Sequence, residues 1–309
     1  MLFSVIVPTY NRLCFLADAL KSLDQQTFKD YEVIVVDDGS TDSTDKWMEE
    51  KIKSKMTKAP SIKFLRQGNK GPGAARNLGA KHAVGEYLAF LDSDDVWMKW
   101  TLDVFRQAIE FGKGAAFVSG VGCSFGVPIA FLEKPKFLKF GCMLEACKKE
   151  VLPVGGTPSV AVKKTSFELV QGFSPSRING EDTDLWLRLG TQAGFVKIEK
   201  PVVFAQRYHS GNVTRDMECA ISGIRFLFDQ ETKGRLPGGR NYRNSRRRIL
   251  AAMARTITLE CLRKGEIRKA WKNYWLTFPE QVKQARIKYL FAFFLVLPFY
   301  FVSSNLFKK

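Results

Sequence analysis

Three short apolar runs in the first hundred residues each stop abruptly on a polar cluster. Phe3–Pro8 leads into Thr9-Tyr10-Asn11, Tyr31–Val36 into Asp37-Asp38-Gly39-Ser40-Thr41-Asp42, and Tyr87–Leu91 into Asp92-Ser93-Asp94-Asp95. Tyr31–Val36 is rich in β-branched residues and almost wholly apolar, as a strand covered on both faces must be. Between these runs Leu13, Leu16, Leu20 and Leu23 recur at helical spacing. A second helix is expected from about Ser43, a strand at Ile62–Leu65, a glycine-rich loop at Gly68–Gly73, a helix over Ala74–Val84 and another from about Met98 to Phe111. Strands alternating with helices predict an α/β fold with a mostly parallel sheet and helices on both faces. Ligands of such sheets bind beyond the carboxyl ends of the strands, and all three polar clusters fall on that edge.

Four constellations carry chemistry. Alternating carboxylates in Asp92-Ser93-Asp94-Asp95 can offer oxygen ligands to a hard divalent cation whose remaining shell comes from water and substrate phosphates; the same residues also make an ordinary acidic helix cap. Asp38, at a strand end, can accept hydrogen bonds from a base or ribose, and here too a cap is the simpler use. Gly71-Pro72-Gly73-Ala74-Ala75-Arg76-Asn77-Leu78-Gly79 is neither a Walker loop nor GxGxxG. It still offers backbone N–H groups to an anion at a helix start, and Arg76 adds a planar cation. In Gly180-Glu181-Asp182-Thr183-Asp184-Leu185-Trp186 the acidic pair sits at an expected helix N-terminus, where carboxylates are stabilised as anions. One of them could act as a general base, or the pair could simply cap the helix.

Taken in order, these motifs, with Pro8-Thr9-Tyr10-Asn11 and Gly172-Phe173, resemble those of family 2 glycosyltransferases with the GT-A fold, over roughly residues 3–215. The resemblance implies a Rossmann-like, mostly parallel sheet with flanking helices in a catalytic domain over residues 1–215, followed by a basic helical region over 216–309. It implies that Pro8, Thr9, Tyr10 and Asp38 face the nucleotide, that Arg76 lies near the base or diphosphate, and that Asp92 and Ser93 support the ribose and metal. Asp94 would ligate Mn²⁺ or Mg²⁺, joined by His209 unless that histidine is only a surface loop residue. Asp182 would be the catalytic base with Glu181 beside it. The implied reaction is an inverting single displacement from a nucleotide-diphosphate sugar, a UDP-sugar foremost, to a hydroxyl of a lipid-linked or cell-surface glycan. No Gln-x-x-Arg-Trp motif of processive synthases is present, which favours transfer of one sugar. Two rival readings are a catalytically silent membrane-bound scaffold and another nucleotide-sugar or nucleotidyl enzyme on a similar sheet.

The net charge of +17 is concentrated at one end: residues 233–309 carry 18 Lys/Arg and 3 Asp/Glu, whereas residues 1–232 carry 30 and 28. The tail ends in Tyr289–Phe307, without formal charge and interrupted by Pro298, between Lys283, Arg286, Lys288 and Lys308-Lys309. A span needs about 20 apolar residues. The tail therefore reads as an interfacial or re-entrant anchor on anionic lipid, as a span, or as a buried helix, with Trp271, Tyr274 and Trp275 either interfacial or core. The expected location is the cytoplasmic face of the inner membrane, peripheral or monotopic, with homo-oligomerisation open. Nucleic-acid binding is not expected, because no recognition motif accompanies the basic excess. The start, Met1-Leu-Phe-Ser, lacks the basic region of a signal peptide. Residues 114–132, also uncharged, fit buried strands and turns better than a span. Six cysteines without CxxC spacing are expected to be reduced.

Overall fold

The computed structural model describes residues 1–54, 59–127, 134–148, 154–175, 178–209 and 216–295. The chain forms two compact units, one comprising Met1–Ala146, Leu152–Arg177 and Glu181–His209, the other Cys147–Val151, Ile178–Gly180 and Ser210–Lys309.

The first unit is built on a sheet of nine described strands: β1 (Phe3–Thr9), β2 (Tyr31–Asp37), β3 (Ile62–Arg66), β4 (Tyr87–Phe90), β5 (Val96–Trp97), β6 (Phe117–Ser124), β7 (Lys136–Phe140), β8 (Val160–Lys163) and β9 (Phe195–Gln206). Their order is β3-β2-β1-β4-β8-β6-β9-β5, with β7 also on β9. The β3-β2-β1-β4 half is parallel. β8 runs antiparallel to both of its neighbours, β6 runs parallel to β9, and β5 and β7 run antiparallel to β9. The chain steps outward from β1 to β3 and then returns to place β4 on the other side of β1. The order thus reverses between β1 and β4, and a crevice forms beyond their carboxyl ends. Every residue of β1 and β2 is buried, which accounts for their nearly unbroken apolar runs.

Helices α1 (Leu13–Asp24), α2 (Thr44–Lys53), α3 (Pro72–His82), α4 (Thr101–Phe111), α5 (Met143–Ala146), α6 (Lys164–Leu169) and α7 (Glu181–Leu189) complete this unit. α3 lies close against β1 and β2 because Gly79 has no side chain: a Cβ there would stand 2.5 Å from Ile6 and 3.3 Å from Val36.

Two local readings of the sequence change. α4 begins at Thr101, not near Met98. Val96–Trp97 form a strand on Ala205 and Phe204, and the Met98 amide still donates to the Val203 carbonyl, so no helix can start until that pairing ends. The uncharged stretch from residue 114 enters the sheet as β6, whose first four residues are buried; residues 128–133 lie outside the described residues.

The second unit holds α8 (Met217–Thr232), α9 (Arg243–Arg263) and α10 (Ile267–Lys283), with further helix over residues 287–295. Asp216 caps α8, accepting from the Glu218 and Cys219 amides at 2.9 and 3.2 Å. Met217, Ile221, Cys261, Leu262, Ala270, Tyr274 and Phe293 form its apolar centre. A polar seam joins α9 to α10: Asn273 donates to the Ala254 carbonyl and to Thr258, both at 2.9 Å, and Gln281 to the Ala251 carbonyl at 2.8 Å. Buried Arg246 is paired with buried Glu231 and also donates to the Pro237 and Gly239 carbonyls. Tyr274 is therefore core, whereas Trp271 and Trp275 remain 41% and 45% exposed. Among the described residues no helix is long and apolar enough to cross a membrane; residues 296–307 of the apolar tail lie outside them. The six cysteines are free thiols.

Overpacking a filled interface costs about 1–3 kcal/mol. Gly79→Ala is therefore expected to lower unfolding stability by about that amount, read as a lower denaturant midpoint at unchanged slope.

Candidate active site

The loop after β2 is organised by its own carboxylates. Asp37 accepts from the Ser40 amide at 2.9 Å and lies 3.2 Å from the Arg66 guanidinium. Asp38 accepts from the Gln67 side chain at 2.8 Å and from the Lys70 and Gly71 amides at 2.8 and 2.7 Å. The backbone N–H groups of the glycine-rich loop thus do meet an anion, but it is the protein's own Asp38, which fixes the loop at the start of α3. Asn11, in the left-handed region at φ 50°, accepts from the Thr41 amide at 2.7 Å and ties the loop after β1 to the loop after β2. Pro8 and Thr9 end β1, with the Thr9 hydroxyl buried and without a hydrogen-bond partner. Tyr10 follows, 44% exposed at the crevice edge.

The acidic turn is pinned between β4 and β5. Its Asp92 carbonyl accepts the Asp95 amide at 3.0 Å, and Ser93 is buried. Asp94 Oδ2 accepts from Arg12 and lies 2.9 Å from His209 Nε2. The His209 ring also lies against Phe15, with centroids 4.7 Å apart and planes tilted by 32°. Arg207 braces the turn from the β9 side: its amide donates to Asp95 at 3.0 Å, its Nε to the Asp94 carbonyl at 3.3 Å, and its Nη2 to Asp18 at 2.7 Å. The Arg207 guanidinium lies over the Phe15 and Phe125 rings at 5.1 and 4.1 Å. Burial, reinforced by the Asp92 and Asp94 charges and opposed by the Arg207 amide, pushes the Asp95 carboxyl up to about 8.

Arg76 connects this turn to the second acidic motif. Projecting from α3, it donates to Asp92 at 2.6 Å and to Glu181 at 3.1 Å, and its guanidinium lies 5.2 Å from the Phe173 ring centroid. Thr157 donates to the other Asp92 oxygen at 2.9 Å. Only 4% of Arg76 is exposed. Burial opposes its charge, but Asp92 and Glu181 more than offset this and raise its pKa above the ordinary value. The resemblance puts this cation near the base or diphosphate of a donor; in the structure its side chain is held by two carboxylates of the protein. Asn77, one residue on, exchanges hydrogen bonds of 2.9 Å with the backbone of Phe173 in both directions. That pairing brings the Phe173 ring beneath Arg76.

Glu181 and Asp182 open α7, with Asp184 also in the first turn. Asp184 takes two hydrogen bonds from Arg188, at 2.9 and 2.7 Å, and Arg188 reaches back to the Val170 and Gly172 carbonyls. Glu181 is committed to Arg76. Asp182 accepts the Thr183 amide at 2.6 Å. Burial, then the neighbouring Glu181 charge, pushes its carboxyl up to about 6, against the Thr183 amide and Arg76. The acidic pair thus divides into a carboxylate bound to a cation and one poised near neutrality.

The oxygen and nitrogen donors of this cluster are of the kind that a divalent cation can take. Five carboxylates (Asp92, Asp94, Asp95, Glu181 and Asp182) interact with three arginines (Arg12, Arg76 and Arg207), one of which also serves Asp18. Among the described residues no three His, Cys, Asp or Glu side chains already converge as a complete metal cage. Asp94 with His209 would hold the ion from one side, as expected of a hard cation that takes its other ligands from phosphates and water.

Arg12, Thr157 and Arg207 escaped the sequence reading, and Phe173 entered it only within the Gly172-Phe173 motif, without a role. Arg12 directly follows the Thr9-Tyr10-Asn11 cluster and Arg207 stands two residues before His209, so both had a positional signal; Thr157 had none that spacing could reveal.

Comparison with known proteins accords with this geometry. The family model for glycosyl transferase family 2 matches residues 4–157. A glycosyltransferase of Rickettsia conorii is 32% identical over 209 residues, covering 64% of this chain and 31% of that protein. The chain thus matches about a third of the length of its relatives in Rickettsia conorii and Rickettsia felis. Staphylococcus aureus TarS 1–349, solved in complex with UDP-GlcNAc, superposes with a TM-score of 0.57 at 20% identity, covering 92% of each chain. The mannosyltransferase PcManGT of Pyrobaculum calidifontis, solved with GDP-Man and Mn²⁺, gives a TM-score of 0.59 at 16% identity, covering 98% of this chain and 86% of that one. These likenesses identify the fold as GT-A. The ordered motifs on one sheet edge and the family match together establish that the chain belongs to glycosyl transferase family 2.

Proposed function

We propose that the chain is an inverting glycosyltransferase moving one sugar from a nucleotide-diphosphate donor to an acceptor hydroxyl. The observation that carries this reading is the division of labour around Arg76. One arm of the guanidinium holds Asp92 at the crevice between β1 and β4, and the other holds Glu181 on α7. Donor site and base are thereby held in one frame, with Asp182 left as the proton acceptor.

In this mechanism the nucleotide lies across the carboxyl ends of β1 and β2, with Pro8, Thr9 and Tyr10 lining the crevice. The buried, unpartnered Thr9 hydroxyl supports that placement. Asp38 acts by shaping the loop over Gly68–Gly73, and Ser93 by fixing the turn. Asp94 and His209 would hold Mn²⁺ or Mg²⁺, whose charge, when bound, neutralises the leaving diphosphate. Asp182 takes the acceptor proton as the hydroxyl attacks the anomeric carbon from the face opposite the diphosphate. Glu181 keeps Arg76 in place. Arg12 and Arg207 hold the acidic turn in shape, so the residues that would hold the metal need little rearrangement as the diphosphate departs.

A UDP-sugar is the favoured donor, by likeness to the TarS complex with UDP-GlcNAc. The acceptor is read as a lipid-linked or cell-surface glycan, in keeping with the strongly basic C-terminal region.

Purified full-length protein given UDP-sugars with Mn²⁺ or Mg²⁺ is expected to release UDP and no pyrophosphate, and to lose this activity on chelation. Pyrophosphate from a nucleoside triphosphate would indicate a nucleotidyl enzyme, and no turnover with any donor, in detergent or with membranes, a silent scaffold. Asp182→Asn should lower kcat by about 10²–10⁴-fold while donor binding, read by calorimetry, stays within a few-fold of wild type.

The pH dependence follows from the same carboxyl. A base whose pKa is raised to about 6 is protonated, and inactive, below that value. The rate should therefore be level above about pH 7 and fall tenfold per unit below about pH 6. A profile flat down to pH 4.5 would remove Asp182 from the role.

A further inference from the structure

The second unit carries an apolar surface that the transfer reaction does not use. Of the 17 large hydrophobic side chains exposed among the described residues, eight fall between Trp271 and Leu295. Scattered exposed apolar residues need no explanation, but a contiguous group does. At 100° per residue, Trp271, Trp275 and Val282 lie within about 40° of one another on α10, while Asn273, Tyr274, Thr277 and Gln281 turn inward and are buried. The helix that starts at residue 287 adds Phe294 to the group, 6.0 Å from the Trp271 ring and 6.4 Å from Trp275. Phe291 and Leu295 extend it, 67% and 70% exposed.

The polar setting of this face has one sign. Arg268, Lys272 and Lys283 run along α10 beside the tryptophans, all exposed. From Arg268 to Lys288 there are six Lys/Arg and one carboxylate, Glu280. Glu280 is buried and paired with Arg247, so it does not offset the exposed cations. An anionic polymer without aromatic groups would match the cations but leave the aromatic rings in water. Exposed tryptophans on one helix face, bordered by cations, match the two layers of a bilayer surface: rings at the head-group boundary and charges against anionic heads.

We propose that α10 and the helix after it form a monotopic docking face for a bilayer bearing anionic head groups, with Trp271, Trp275 and Phe294 entering the interface and Lys272 and Lys283 contacting the head groups. The face does not depend on the transferase reading, since it lies on residues with no part in that chemistry. It would place the chain at a membrane surface through described residues that include no spanning helix.

The test is flotation of the full-length protein with vesicles of phosphatidylcholine alone or with about one third phosphatidylglycerol. Binding is expected to the anionic vesicles, weakening as salt rises, with tryptophan emission quenched by brominated lipid. Lys272→Gln with Lys283→Gln should weaken partitioning about 25-fold, fivefold per cation. Trp271→Ala with Trp275→Ala should weaken it at least about tenfold; because Trp271 packs on Phe293, its thermal unfolding is recorded alongside, and the lysine pair and lipid quenching decide if that variant is unstable. Equal binding to both vesicle types, absence of quenching, or undiminished binding of both double variants would overturn the proposal. So would a lipid-free dimer that the tryptophan substitutions dissolve, which would assign the face to a second copy of the chain.

Discussion

A guanidinium almost wholly removed from water is tolerated only with full compensation, and Arg76 receives it from Asp92 and Glu181. The three residues come from α3, the turn after β4 and the start of α7. Leaving a buried charge without its partner costs about 3–5 kcal/mol, so the three elements have little freedom to separate. The rest of the site is arranged around this frame. Thr157 and Phe173 complete the surroundings of Arg76, and Asn77 holds Phe173 in place by pairing with its backbone. Asp182, next to Glu181, inherits its position from the same frame. Its raised pKa has the same origin: burial and the Glu181 charge outweigh the help of Arg76.

The acidic turn shows how the fold accommodates like charges before any ligand arrives. Asp92, Asp94 and Asp95 are drawn together by strands on either side of them, β4 and β5. Arg12 neutralises part of the charge, Arg207 holds the turn through its amide and the Asp94 carbonyl, and burial raises the pKa of Asp95 and so favours its neutral form.

Much of the fold was legible because it rests on local patterns. The strands β1, β2 and β4 announce themselves as apolar runs stopped by polar turns, and their common direction follows from the helices between them. The candidate residues were legible for the same reason: Asp94, Asp182 and Asp38 stand where strands or helices end. Partnerships were not. Arg76 and Glu181 are 105 positions apart, and Arg12 and Asp94 are 82 apart, so no spacing rule connects them. Arg76 reads as a cation near the donor, and nothing in the sequence tells that it holds two carboxylates as well. The loop over Gly68–Gly73 reads as an anion cradle, and so it is, but for Asp38. The pairing of β5 with β9 delays α4 through a strand that lies about a hundred residues further along. On the C-terminal helices, helical periodicity identifies a buried face, but it cannot tell that Tyr274 is core while Trp271 and Trp275 stay half exposed.

The central claim is that Arg76 joins the donor crevice to the base by acting on Glu181. A double-mutant cycle on kcat/KM, with Arg76→Gln, Glu181→Gln and the two combined, measures that connection most directly. The account predicts strong non-additivity, with the double variant no slower than the worse single variant and an interaction energy above about 1 kcal/mol. Additive losses, with each substitution acting as though the other residue were absent, would contradict it.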